Sequence, residues 1–192
     1  MIKRLLLSAS AIALSLIAYP SKAQAAIQFP ESCRMGSCSL STLDSKEALR
    51  SNEFGTLYLI NTSGSLYPQT TYSETAGRDY ELFVNYYGTD YVASSSQSYV
   101  FCSTTIPSVL FEADGEYVMK RLALFESPSS ADRSDHQTYL ATCHNLAGPD
   151  YFSFEVQTLL IREGYTTRYV SRNEQMNVPN ILEIMELYPD SY

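Results

Sequence analysis

The chain has 192 residues, with 13 basic and 21 acidic side chains and a formal net charge of −8 at pH 7. Nucleic acid and anionic membrane surfaces are bound by clustered lysine and arginine, so this composition argues against both as partners. The acidic excess suits a solvated surface or a cationic protein partner, and the length fits one domain.

The first 25 residues are organised as a secretory signal peptide. Lys3 and Arg4 precede an uncharged, mostly apolar run over Leu5–Ala18, and Ala23–Ala25 has the small-x-small pattern of a cleavage site. The run of 14 residues is shorter than the roughly 20 residues that span a bilayer. These features predict a removable leader and no stable membrane anchor, cleavage near Ala25, and export to a periplasm or the medium.

We predict three segments: a signal peptide at 1–25, a polar N-terminal arm at 26–53 and a single β-rich domain at 54–192. Cleavage would remove three basic residues and no acidic residue, which changes the formal charge from −8 to −11. The mature chain is therefore expected to be strongly acidic.

All four cysteines follow the predicted cleavage site, and an even count in an exported chain indicates disulfide bonds. Of the three pairings that four cysteines allow, we favour Cys33–Cys38, because Gly36 lets the short spacer turn. This choice leaves Cys102–Cys143 to join two predicted strands. In the chain-entropy model this second bond contributes roughly 4 kcal/mol to stability.

The first elements predicted for the mature chain are a short helix, a strand and a turn. A short helix is expected over Leu43–Ser51, with Asp44 as its N-cap. A strand is expected over Phe54–Ile60, because the run is rich in strand-forming residues. The Asn, Ser and Gly residues of Asn61–Ser65 are typical of a turn that ends this strand.

The middle of the chain continues the β pattern. A strand is predicted over Tyr80–Tyr87, followed by a Ser-rich surface loop over Gly88–Ser98. Strands over Val109–Glu112 and Tyr117–Phe125 flank Asp114–Gly115, which predicts a β-hairpin with a type I′ turn, because both central residues of that turn need positive φ.

In the C-terminal third, a polar loop over Glu126–His136 is predicted to precede a strand over Thr138–His144. The alternation of apolar and polar residues in Phe152–Leu160 predicts another strand. Apolar residues at helical spacing over Val178–Tyr188 predict an amphipathic helix. Together, the elements favour a mainly β fold, an antiparallel barrel or sandwich with one or two short helices.

Residues suited to catalysis are few. Structural zinc usually takes four Cys or His ligands with short paired spacings, which the cysteines do not provide. Cys143 and His144 are adjacent in a predicted strand and should point to opposite faces, so the imidazole could not reach the sulfur. Asp135 and His136 could join a nominal Ser/His/Asp set, completed by Ser129, Ser130 or Ser134. Without a G-x-S-x-G elbow, a solvated polar loop is the better interpretation.

Two further chemistries lack support in the sequence. Glu112, Asp114 and Glu116 cluster at the hairpin and could serve glycoside hydrolysis, although turn carboxylates are usually just solvated. Glycine-rich phosphate-binding loops are absent from the sequence. We therefore predict no catalytic residue, no cofactor and no metal ligand.

Tyrosine is unusually abundant, with 16 residues and no tryptophan. Tyr86, Tyr87 and Tyr91 surround Gly88, and the mixture of Tyr, Ser and Gly resembles the composition of recognition surfaces. The sequence thus favours an exported, disulfide-stabilised binding or inhibitor-like module that contacts a protein or an envelope component. The alternatives are a small exported hydrolase and a structural envelope protein, and the sequence does not set the oligomeric state.

Overall fold

The computed structural model describes residues 25–34, 37–68, 92–129, 132–148, 152–165 and 175–186. Within these ranges the strands are β1 (Ile27–Gln28), β2 (Ser32–Arg34), β3 (Ser37–Asn52), β4 (Gly55–Pro68), β5 (Val92–Cys102), β6 (Ser108–Ala113), β7 (Glu116–Arg121) and β8 (Gln175–Val178). The helices are α1 (Arg133–His144), α2 (Phe154–Arg162) and a C-terminal 3₁₀ helix (Ile181–Glu186).

All of these strands belong to one antiparallel sheet with the order β1-β3-β4-β5-β6-β7-β8, and β2 also pairs with β3. The predicted mainly antiparallel β fold with short helices is confirmed. The sheet is open and is not closed into a barrel. The finer prediction of a barrel or sandwich is therefore not confirmed.

A tight turn joins β3 to β4, the two longest strands. The Asn52 side-chain carbonyl accepts hydrogen bonds from the backbone N–H groups of Phe54 and Gly55, at 2.9 and 3.1 Å. A Cβ atom at Gly55 would lie 2.3 Å from the carbonyl oxygen of Cys102 in β5. Glycine is therefore required where β4 begins beside β5.

The hairpin between β6 and β7 is confirmed. Ala113 and Glu116 form the last pair of the ladder, and Asp114 and Gly115 have φ values of 54° and 80°. Both central residues thus have the positive φ of a type I′ turn.

The sheet has a core on each face. Val100 packs on the face that α1 and α2 cover, together with Tyr139 of α1 and Leu160 of α2. The next residue, Phe101, belongs to the cluster on the opposite face, where the 3₁₀ helix contributes Ile184. Because adjacent strand residues point to opposite faces, the central strands supply both cores.

The predicted strand over Thr138–His144 is wrong, because these residues form the second half of α1. The inward residues His136, Tyr139 and Leu140 recur at helical spacing, and Tyr139 is fully buried. Asn145 ends the helix in the left-handed conformation, with φ 56°. Threonine and tyrosine favour strands locally, but the burial pattern of this segment is helical.

The predicted strand over Phe152–Leu160 is also wrong, because α2 occupies Phe154–Arg162. The Ser153 hydroxyl caps this helix by accepting a hydrogen bond from the Val156 N–H. Phe154, which the alternation placed toward a core, is 81 % exposed, whereas Leu160 is buried. The alternation in the sequence does not correspond to alternating burial.

Two predictions around β3 and β4 are wrong. The segment Leu43–Ser51 is part of β3 and not a helix, and the Asp44 carboxylate accepts a hydrogen bond from the Ser63 hydroxyl instead of capping. The segment Asn61–Ser65 continues β4 instead of ending it, because β3 and β5 pair with it on both sides. Residues 26–53, predicted as an arm, thus contribute β1, β2 and β3 to the sheet.

Other predicted boundaries differ from those in the structure. Residues 92–98 of the predicted loop Gly88–Ser98 belong to β5, and α1 begins at Arg133 within the predicted loop Glu126–His136. Of the predicted C-terminal amphipathic helix, Val178 ends β8, the residues Ile181–Glu186 form the 3₁₀ helix, and residues 187–188 lie outside the described part of the chain. The predicted strand over Tyr80–Tyr87 lies outside the described residues.

Both predicted disulfide bonds are present. Cys33 is joined to Cys38 across the β2–β3 pair, and Cys102 at the end of β5 is joined to Cys143 of α1. The described part of the chain has no free cysteine. Both bonds are consistent with an oxidising compartment.

Candidate functional site

A cleft of about 510 Å³ lies between the helix-bearing face of the sheet and the first turns of α1. Its volume is within the range of small-molecule sites, roughly 300–1,000 Å³. The lining combines hydroxyl and amide groups, a few apolar side chains and one cation. The lining residues are Phe29, Pro30, Ser32, Cys33, Ser39, Ser41, Thr62, Leu66, Arg133, Ser134, Gln137 and Thr138.

The sheet wall of the cleft follows from strand register. Ser39 and Ser41 are two residues apart in β3 and therefore share a face. Leu43, two residues further along, is buried in the core and pairs with Thr62 of β4. Hydroxyl groups thus extend the helix-bearing face beyond the point where the apolar core ends.

The helix wall of the cleft follows from helical spacing. Arg133 and Gln137 are four residues apart, as are Ser134 and Thr138, so the two pairs lie side by side on one face of α1. His136 points to a different group of residues and does not line the cleft. This part of α1 therefore presents hydrogen-bonding groups to the sheet wall.

Arg133 is the cation of the cleft. Its side chain is exposed, and no ion pair of Arg133 is found among the described residues. A guanidinium group donates in a planar fork that matches a carboxylate or phosphate. The cleft can therefore hold a ligand in which one anionic group lies close to several hydroxyl or carbonyl oxygens.

The Cys33–Cys38 bond stands at the margin of this cleft. Glu31, Cys33 and Cys38 form the one group of potential metal ligands that the described residues contain. Both sulfurs are consumed by the disulfide, so neither is available as a thiolate ligand. Glu31 also accepts a hydrogen bond from the Tyr67 hydroxyl.

His136 belongs to a buried ionic cluster on the other side of α1. The Lys120 ammonium lies 2.6 Å from a carboxylate oxygen of Asp132 and 2.6 Å from one of Asp135. Burial alone would lower the pKa of Lys120, but hydrogen bonds and charge from the two carboxylates raise it. Likewise, burial favours a higher pKa for Asp132, yet the bonds from Lys120 and Ser129 lower it.

The arrangement of this cluster is not that of a catalytic triad. Ser129 donates its hydroxyl to Asp132 and not to His136. His136 is 4 % exposed, and burial lowers its pKa to about 4, despite the opposing charge of Asp132. The accessible space beside the cluster is about 20 Å³, less than a substrate needs.

His144 lies at one end of a second network, in which aromatic side chains are linked by hydrogen bonds. Its Nε2 atom lies 2.8 Å from the Tyr165 hydroxyl, which lies 2.9 Å from the Tyr139 hydroxyl. Tyr139 donates to the Ser103 carbonyl and accepts from the Ser103 N–H. Burial raises the pKa of Tyr139 and lowers that of His144, so both groups stay neutral near pH 7.

The other predicted site residues are dispersed. Tyr86, Tyr87 and Tyr91, the predicted recognition surface, lie outside the described residues. Glu112 and Glu116 are exposed on the β6–β7 hairpin, and the Glu116 carboxylate accepts a hydrogen bond from Asn177.

Sequence reasoning missed the cleft. The hydroxyl groups of its sheet wall lie in the predicted polar arm and the predicted turn Asn61–Ser65, and those of α1 lie in a predicted loop and a predicted strand. The strand register and helical spacing that align them were therefore not available. The i, i+4 pairs Arg133–Gln137 and Ser134–Thr138 were the signal that could have indicated a shared helical face.

No helix among the described residues is long and apolar enough to cross a membrane. No family model matches the chain, and no curated protein or solved structure is significantly similar to it.

Proposed function

We propose that this protein is an exported, disulfide-stabilised binding module whose cleft takes a small, oxygen-rich carboxylate such as an acidic sugar. The observation that carries the proposal is the lining: one arginine, which has no ion pair with any described residue, among seven hydroxyl and amide side chains. A carboxylate would pair with Arg133, and ligand hydroxyls would exchange hydrogen bonds with the serine and threonine side chains.

The lining also favours binding over the alternative of a hydrolase. Among the described residues that line the cleft, Arg133 alone has a charged side chain. A guanidinium does not act as a general acid or base near pH 7. His136 and His144 belong to two other networks. The third hypothesis, a structural envelope protein, has no specific feature of the described residues in its favour.

In the experiment, the protein recovered after export is titrated with galacturonate, glucuronate or neutral galactose. Calorimetry and amide chemical shifts measure the binding. We expect the acids to bind, the neutral sugar to bind more weakly, and the shifts to cluster at Ser39, Ser41 and Gln137. Charge-assisted hydrogen bonds are worth about 1.5–3 kcal/mol, so Arg133→Gln should weaken acid binding about 10- to 150-fold.

Arg50→Gln is the matched control, because Arg50 is an exposed cation of β3 that does not line the cleft. Its affinity for the acids should equal that of the unmodified protein. Equal losses in the two variants, or no binding of either acid, would contradict the proposal.

A further inference from the structure

Strands β5 and β6 separate before either of them ends. Their ladder comprises three pairs and stops at Tyr99–Leu110, although β5 continues to Val92 and β6 continues to Ala113. Among the described residues, no strand pairs with residues 92–98 or 111–113 in the space between them. We call this space the fork.

The β5 side of the fork is a strand edge that has no partner among the described residues and lacks the usual protection. Natural sheets protect free edges with charges, prolines, bulges or short strands, because unpaired N–H and C=O groups recruit other strands. Residues 92–98 have the sequence VASSSQS, with no charge and no proline. They also pair with β4 without a bulge, and Ala93–Gln97 are exposed.

The other free edges of the described sheet are protected. The outer edge of β3 beyond Leu43 has two register shifts and carries the charged residues Asp44, Lys46, Glu47 and Arg50. The edge strand β8 has only four residues. Within the described strands, the β5 edge therefore differs from the other long edge in having neither charges nor bulges.

The β6 side of the fork combines an apolar side chain with negative charge. Phe111 is an exposed apolar residue, and Glu112 and Asp114 are exposed acids beside it. Because adjacent strand residues point to opposite faces, Phe111 and Glu112 border the fork on different faces of the sheet. A strand in the fork would therefore meet an apolar group on one face and negative charge on the other.

We propose that the fork binds an extended basic segment of a partner protein by β-strand addition. The segment would pair with residues 92–98, place alternate apolar side chains against Phe111 and direct its cationic side chains toward Glu112 and Asp114. A second copy of this chain is the poorer occupant, because each copy is strongly acidic, with a formal net charge of −8 for the full chain and −11 after the predicted cleavage. This site is separate from the cleft and does not depend on the proposed ligand.

The test uses the protein recovered after export and a fluorescent peptide of about nine residues, the length of a long strand, in which lysine alternates with valine or phenylalanine. Anisotropy would measure binding, and hydrogen exchange would report protection. We expect saturable binding that weakens with salt and protects the amides of residues 92–98. A peptide N-methylated along one edge should lose binding, because it lacks the donors for strand pairing.

The charge contribution is tested by Glu112→Gln combined with Asp114→Asn, in which asparagine tolerates the positive φ of the turn. Exposed ion pairs contribute modestly, so two lost charges should weaken binding about 2- to 30-fold at low salt. The control is Glu47→Gln combined with Glu53→Gln, which removes the same charge from exposed positions outside the fork. That control should bind within about twofold of the unmodified protein.

Several results would overturn the proposal: no binding, equal losses in the two double variants, tolerance of N-methylation, or protection confined to other strands. Protection of residues 92–98 without peptide would also overturn it. In that case, a concentration-dependent dimer would identify a second copy as the occupant, and a monomer would identify a segment of this chain.

Discussion

His136 is held neutral by its surroundings. It lies on the inner side of α1, 4 % exposed, near the paired charges of Lys120 and Asp132. Burial opposes the charged imidazolium and outweighs the favourable charge of Asp132, and the positive charge of Lys120 adds to the effect of burial, so the pKa falls to about 4. A single buried side chain thus couples the stability of α1 packing to pH.

Acidification should therefore destabilise the protein. The pKa of His136 is lower in the folded state than in the unfolded state, so the unfolded chain binds more protons between pH 6.5 and about pH 4. This stabilising contribution is present above the unfolded pKa and is lost as the pH falls toward the folded pKa. Between pH 7 and pH 5 the loss should be about 2 kcal/mol.

Denaturant unfolding at both pH values measures this loss, with His136→Gln as the comparison. The pKa of His144 is also lowered, so part of the acid dependence should remain in the variant. A variant that loses as much stability on acidification as the unmodified protein would show that His136 is not the titrating group.

At the level of elements, α1 is joined to the sheet at several points. The Cys102–Cys143 bond links its last turn to β5, and the Lys46 ammonium of β3 donates to the Thr142 carbonyl and to Asn145. The Tyr139 hydroxyl adds the bonds to Ser103. A covalent bond and several hydrogen bonds thus hold the C-terminal half of this helix to the sheet.

The two disulfide bonds should differ in their effect on the free energy of unfolding. Cys102 and Cys143 are 41 residues apart in sequence, whereas Cys33 and Cys38 are 5 apart. In the chain-entropy model the longer loop stabilises by about 4 kcal/mol and the shorter loop by about 2 kcal/mol. Denaturant unfolding of the two double Cys→Ser variants measures both values, and equal losses would contradict the loop-length argument.

At the scale of the whole molecule, the chain is predicted to lose residues 1–25 on export. The intact mass of the exported protein should correspond to a chain that begins at Ala26. A charged residue at the first small position of the cleavage site should block processing, so Ala23→Arg should retain the leader. Gln24→Arg introduces the same charge at the unconstrained position and should be processed, and identical behaviour of the two variants would argue against cleavage at this site.

The hairpin and the Cys33–Cys38 bond were predictable because their causes are local, and among four cysteines that bond leaves Cys102 to pair with Cys143. Asp114 and Gly115 tolerate positive φ whatever surrounds them, and Cys33 and Cys38 are only 5 positions apart in sequence. In contrast, the second half of α1 and most of α2 were predicted as strands, because threonine, tyrosine and alternating phenylalanine favour strands locally. Only packing against the sheet reveals that the inward residues of α1 and α2 are at helical spacing.

The sequence by itself determined the antiparallel β class, the β6–β7 hairpin and the inventory of cysteines, because strand propensity, turn geometry and residue identity need no distant partner. Tertiary structure alone decided the rest: the open sheet, the conversion of two predicted strands into helices, the cleft beside Arg133, and the fork between β5 and β6. These features depend on which segments meet across the sheet, and that choice is made by burial and strand pairing between residues far apart in the chain.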